Sequence, residues 1–159
     1  MKNNFNLKRF VDAQSLIYER ALFEIKNGRK SSHWMWFIFP QYRDIGSSKT
    51  SLRYAINSEE EAISYLKHPI LGLRLLEITK AFLSIENKTA HEILGTPDEF
   101  KIQSSMTLFD AIQSENFHTQ NIQGNSFTFS SQKTLVLTRK YLPLRSLKKD
   151  RRQNLAILR

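Results

Sequence analysis

Apolar residues recur through the first two thirds of the chain at the three- and four-residue spacing of a helix face. Leu7, Phe10 and Val11 form one such stripe, and Tyr18, Leu22 and Ile25 form another. Asn6 is placed to cap the first, and Lys26 followed by Gly28 is a helix stop. Together they predict helix from about Leu7 to Asn27, broken near Gln14 and Ser15. Ser31 or Ser32 is placed to cap a short apolar helix, which must end before Pro40 because the ring disfavours helical backbone in the preceding residue. Asp44 to Ser51 is rich in Gly and Ser and reads as loop. Ser58 with Glu61 has the spacing of a capping box and opens a helix to about Lys67. Pro69 starts another at its first turn, with Leu71, Leu75, Ile78 and Phe82 along one face. Thr89 with Glu92 is a second capping box, closed by Gly95. Thr96, Pro97 and Asp98 open a further helix that turns Phe100, Met106, Phe109 and Ile112 inward. No βαβ alternation, hairpin signal or repeat interrupts this pattern. The expected fold class is all-α, a single compact multi-helix domain over residues 1–112.

After Ile112 the pattern changes. Gln, Ser, Asn and Thr dominate Gln113 to Thr134, and periodicity is lost apart from an alternating Phe127-Thr128-Phe129. Such composition reads as loop or disorder. Leu135 to Leu144 reads as a short strand or extended arm. Leu147 to Leu158 reads as a basic terminal helix, with Leu155 and Leu158 as anchors on the domain. Residues 113–159 are thus expected to form an irregular extension, first polar and then basic.

Charge changes the picture by its position. Of the net +9, a balance of +7 lies from Arg139 onward, so the basic character belongs to the tail and not to a broad binding face. Lys148, Lys149, Arg151 and Arg152 are suited to phosphate contacts, which makes nucleic acid a candidate partner; a solvated, partly mobile terminus is the preferred explanation. Tyr141 is the one aromatic nearby that could stack on a base. The absence of cysteine excludes a thiol nucleophile, a thiolate metal site and a redox role, and agrees with a cytoplasmic location. Met1 to Leu7 is polar and no signal-like apolar core follows. The longest apolar run, Trp34 to Phe39, is far short of the roughly 18 residues that span a bilayer, so no membrane partner is expected.

Candidate chemistry concentrates in two runs. Gly28 to Gln41, GRKSSHWMWFIFPQ, holds both tryptophans. Trp34 and Trp36 are either core or the wall of a pocket on which a flat ligand stacks. Arg29 and Lys30 would meet an anion, or simply complement the dipole at a helix C-terminus. His33 could act as acid, base or donor, or be a hydrogen-bonded structural residue. Gln41 could read a polar edge of the ligand. In the second run, Lys101 and Ser105 fall one turn apart on a helix, with Ser104 beside them. A lysine with two hydroxyls suits a phosphate, a carboxylate or a sugar, and a solvated turn is the alternative. Should the runs converge, with Arg53 and Tyr54 completing the wall, the natural guest is a small anionic ligand, nucleotide-like or phosphorylated. An enzyme would use His33 or Lys101 to move protons. No phosphate loop, dinucleotide turn or zinc helix motif is present. The four histidines are scattered, so no metal and no cofactor is predicted. Tail binding to nucleic acid and a protein-interaction module without a ligand are the other readings.

Several runs carry a family resemblance. They are Phe10-Val11-Asp12-Ala13-Gln14, the GRKSSHWMWFIFPQ stretch, His68-Pro69-Ile70-Leu71-Gly72, and Lys101 with Ser104 to Phe109. Over roughly residues 7–111 the chain resembles a bacterial family catalogued as domain of unknown function 1810. The resemblance implies a compact, mainly helical domain and no activity. The C-terminal region departs from that pattern, which suggests an insertion or a local reading-frame change in residues 113–148. Asp150 to Leu155 again resembles the family's ending, with Asn154 in place of a threonine.

Overall fold

The computed structural model describes residues 5–119, with side chains as far as Ile112. Eight helices make up this part: α1 (Lys8–Ser15), α2 (Tyr18–Lys26), α3 (Met35–Ile38), α4 (Lys49–Arg53), α5 (Glu59–Lys67), α6 (Leu71–Leu83), α7 (Ala90–Leu94) and α8 (Asp98–Thr119). Strand pairing among the described residues is one isolated parallel bridge between Tyr42 and Ile56. The fold is all-α, as the periodicity predicts. The helices enclose one apolar core: α2 and α5 pack on α6, α1 packs on α3, and α3, α5 and α7 pack on α8. Its centre is aromatic. Phe10 meets Tyr65 edge-on with centroids 5.1 Å apart, and Tyr65 lies 5.4 Å from Phe109, within the range where ring pairs attract.

The expected apolar faces of α1, α2 and α6 are the ones buried, and the predicted break at Ser15 separates α1 from α2. Gly28 ends α2 with φ +67°, a left-handed conformation that glycine adopts without strain. The Thr89–Glu92 capping box is made in full, and Gly95 closes α7.

Other caps differ from expectation. Asn6 does not cap α1; its carbonyl accepts instead from Arg9 Nη1 at 2.6 Å. Neither Ser31 nor Ser32 caps α3, since both are turned to Glu24. The loop expected to Ser51 already contains α4 from Lys49, capped by Ser48 Oγ accepting from Ser51 N at 3.1 Å. Ser58 caps α5, but the box is half made, because the Glu61 carboxylate accepts from Asn57 N at 2.8 Å instead. Pro69 precedes α6, whose first amides donate to the His68 ring. The Thr96 hydroxyl donates to the Glu99 carboxylate at 2.7 Å. Phe100 is 52% exposed, contrary to expectation; Ile102 takes the inward position, on the stripe shared with Ser105, Met106, Phe109 and Ile112. Finally, α8 continues through residues read as loop, to Thr119. No Gly or Pro interrupts 113–119, and extending a formed helix is far cheaper than nucleating one.

A buried ion pair ties α1 to the first turn of α5. Arg9 Nη2 lies 2.8 Å from Glu61 Oε1, with side chains only 12% and 3% exposed. The same guanidinium donates to Arg53 O at 2.9 Å and Ala55 O at 2.7 Å. Gly72, in the first turn of α6, marks another close approach: a Cβ there would overlap the Leu66 carbonyl oxygen. Gly72→Ala is therefore expected to destabilise the protein by about 1–3 kcal/mol, the usual cost of overpacking, measured as a lower urea midpoint at unchanged slope. An unshifted midpoint would show that α5 and α6 can separate freely at this turn.

Candidate functional site

The site is built where the chain leaves α2. Glu24, in the last turns of that helix, is buried and gathers the following segment around its carboxylate. Oε2 accepts from Ser31 N (2.9 Å), Ser32 N (3.1 Å) and Trp34 Nε1 (2.8 Å), while Oε1 accepts from Ser32 Oγ (2.6 Å). Burial alone would raise this carboxyl; the hydrogen bonds from Ser32, Ser31 and Trp34 outweigh it and hold the group well below the ordinary carboxylate range. The backbone of Lys30 is fixed separately, its N–H donating to Ile93 O of α7 at 2.7 Å.

These restraints aim Lys30 at the start of α8. Its ammonium lies 2.6 Å from Asp98 Oδ2, and the Lys101 ammonium, one turn along α8, lies 2.7 Å from Asp98 Oδ1. One carboxylate thus bridges two lysines. Lys30 is 10% exposed, and Lys101 and Asp98 are each 14% exposed, so the trio is largely desolvated. Burial raises the Asp98 carboxyl, but the hydrogen bonds from Lys101 and Lys30 and their positive charge prevail and keep it below its usual value. The aromatic floor comes from α3 and the residue before it. Lys101 Nζ stands 3.7 Å above the Trp36 ring and Lys30 Nζ 5.4 Å from that of Trp34, both within cation–π range.

The two runs singled out in the sequence therefore converge through Lys30, Trp34, Trp36 and Lys101. Trp34 is fully buried and belongs to the core, whereas Trp36 is half-buried. Gln41 lies beside Trp36 in a small recess walled also by Tyr42, Ser51 and Tyr54, with a volume of about 10 Å³, the space of a single water. Arg29 and His33 are exposed, and no described side chain orients His33. Arg53 is exposed, its guanidinium 5.5 Å from the Tyr54 ring centroid. Ser104 is half-buried. Ser105 is fully buried, and its Oγ has no hydrogen-bond partner among the described residues. Among those residues no group of three His, Cys, Asp or Glu could hold a metal ion, and no helix is long and apolar enough to cross a membrane. Lys148, Lys149, Arg151 and Arg152, and most of the segment 113–148, lie outside the described residues.

Asp98, Glu24 and Arg9 are absent from the sequence-derived site. Asp98 and Lys101 do carry a signal, an acid and a base three apart on a helix. Glu24 shows only an i,i+4 pairing with Arg20; its bonds to the Ser31 and Ser32 amides, the Ser32 hydroxyl and the Trp34 indole have no signature in the local spacing.

Compared with known proteins, the chain matches the model of a family described as "Protein of unknown function (DUF1810)" over residues 4–137, beyond Ile112 and into the polar segment. It is also similar to the crystal structure of the conserved hypothetical protein Rv1873 from Mycobacterium tuberculosis. That protein is 42% identical, with a TM-score of 0.74, over 87% of this chain and 89% of the other. No curated protein matches.

Proposed function

Because the chain belongs to the DUF1810 family, whose description assigns no function, we propose from the geometry alone that it binds a small anionic ligand, nucleotide-like or phosphorylated, at Lys30 and Lys101. The observation that carries this reading is the shared carboxylate: two largely desolvated ammoniums contact one Asp98. Each ammonium has three N–H donors, so the trio keeps both a net positive charge and unused donors. Such a charge acts more strongly there than in bulk water. The partly exposed Trp36 ring supplies apolar surface for a planar group next to the charge. The adjoining recess accepts a water as it stands, so a ring would lie against the outer surface of Trp36.

The test is a thermal-shift panel of nucleotides, cyclic nucleotides, sugar phosphates, ADP-ribose and aromatic carboxylates with wild type and Lys101→Ala. A ligand at 100 times its Kd stabilises by about 2.7 kcal/mol, which for a chain of this size raises Tm by roughly 5–10 °C. The expected result is such a shift in wild type and its loss in Lys101→Ala, with the circular dichroism of the variant unchanged. A panel flat at millimolar ligand would overturn the reading.

A further inference from the structure

Asp98 bridges the two lysines in a particular manner. Oδ1 faces Lys101 and Oδ2 faces Lys30, at nearly equal distances of 2.7 and 2.6 Å. The ammoniums are thus spaced to be spanned by one anion carrying two oxygens. Charge fixes how many such anions fit. Two lysines and one ionised aspartate leave a single uncompensated positive charge, and the nearest carboxylates in the sequence, Glu99, Glu92 and Glu24, are engaged by other groups: Thr96 and His91, Thr89, and Ser31, Ser32 and Trp34.

The geometry points to a site of unit charge capacity, in which Asp98 selects a two-oxygen monoanion, a carboxylate or a phosphodiester, over a doubly charged phosphate monoester. This deepens the anion reading above and rests on it. A monoanion completes the balance: two positive groups, two negative groups, each ammonium using donors that Asp98 leaves free. A dianion beside Asp98 leaves a net negative charge in a site that water scarcely reaches, where juxtaposed like charges are costly. The dianion fits only if Asp98 withdraws, which breaks two short ion pairs. Asp98 therefore works against the wrong ligand as much as it orders the lysines for the right one. Its carboxylate is well suited to that role, because both lysines stabilise its ionised form. Replacing it with a neutral isostere raises the capacity of the site from one charge to two.

Three probes share a ring for the Trp36 surface and differ in charge: benzoate, methyl phenyl phosphate and phenyl phosphate. At pH 8 the first two are monoanions, while the monoester, with a second pKa near 6, is a dianion. Calorimetric titration of wild type should find at least one monoanion bound roughly tenfold or more tightly than phenyl phosphate. The tighter of the two monoanions identifies the chemistry as carboxylate or phosphodiester. Asp98→Asn should erase or reverse the preference by tightening phenyl phosphate roughly tenfold or more. Wild type that prefers the dianion, or an Asp98→Asn preference unchanged from wild type, overturns the capacity argument while leaving the anion site standing. Failure of all three probes to bind either protein at millimolar concentration removes the site itself. Should Asp98→Asn not fold, the wild-type order alone decides.

Discussion

Glu24→Ala is expected to destabilise the protein by about 3–5 kcal/mol. The substitution strips the acceptor from Ser31 N, Ser32 N and Trp34 Nε1, and Trp34 is fully buried. An unsatisfied buried donor costs about 1–3 kcal/mol, and more where its partner was charged. Arg20 also pairs with Glu24, at 3.2 Å, but its side chain is 63% exposed and adds little. Glu24→Gln should cost less, about 1–2 kcal/mol, because the amide oxygen can stand in for Oε2, while the charge assistance is lost and the amide nitrogen in place of Oε1 no longer accepts from Ser32 Oγ or Arg20. Urea unfolding of the three proteins checks the order. Equal small losses in both variants would mean that the 31–34 segment is held by its apolar contacts and not by the carboxylate.

The same group makes stability depend on pH, and its sign follows from the direction of the shift. The folded carboxyl titrates below the ordinary value of 4.5. The unfolded chain therefore takes up the proton first as acid is added. Glu24 thus contributes stability that is fully present above about pH 4.5 and lost as pH falls through its lower folded pKa. Glu24→Gln should lack this part of the acid dependence, so the gap between it and wild type should narrow below pH 4.5.

The second large effect lies at Arg9 and Glu61. Arg9→Ala is expected to cost about 3–5 kcal/mol, because it leaves a buried carboxylate without its partner. It also removes donors from Arg53 O and Ala55 O. Glu61→Ala should cost a similar amount and release Asn57 N in addition. The double variant Arg9→Met with Glu61→Leu should be markedly less destabilised than the sum of the single changes, since neither charge is then stranded. A double-mutant cycle by denaturant unfolding measures this coupling, and additive losses would contradict it.

The fold class was legible from periodicity, since the apolar faces of α1, α2 and α6 are written in local spacing. The caps were legible where side chain and amide are neighbours, as in Thr89 with Glu92, and illegible where a distant group intervened. Ser31 and Ser32 look like caps until Glu24 claims them. Glu61 looks like half of a capping box until Arg9 and Asn57 share it. At the site, residue types pointed to Lys30, Trp36 and Lys101, yet the residue that joins them, Asp98, read only as an early helix acid. Its bridging role depends on Lys30 arriving from 68 positions away. The size of the recess beside Gln41 is equally a product of packing and is written nowhere in the local sequence.

The two tryptophans occupy different surroundings, and this gives the molecule a built-in optical readout. Trp34 is sealed in the core with its indole N–H bonded to Glu24. Trp36 is half-buried, with an ammonium 3.7 Å from its ring centre. Emission from the first should report the integrity of the core, while emission from the second should respond to the position of Lys101. A single unlabelled sample therefore carries a sealed fluorophore near Lys30 and a partly exposed one near Lys101, so the two lysines of the pair can be followed by emission without a label.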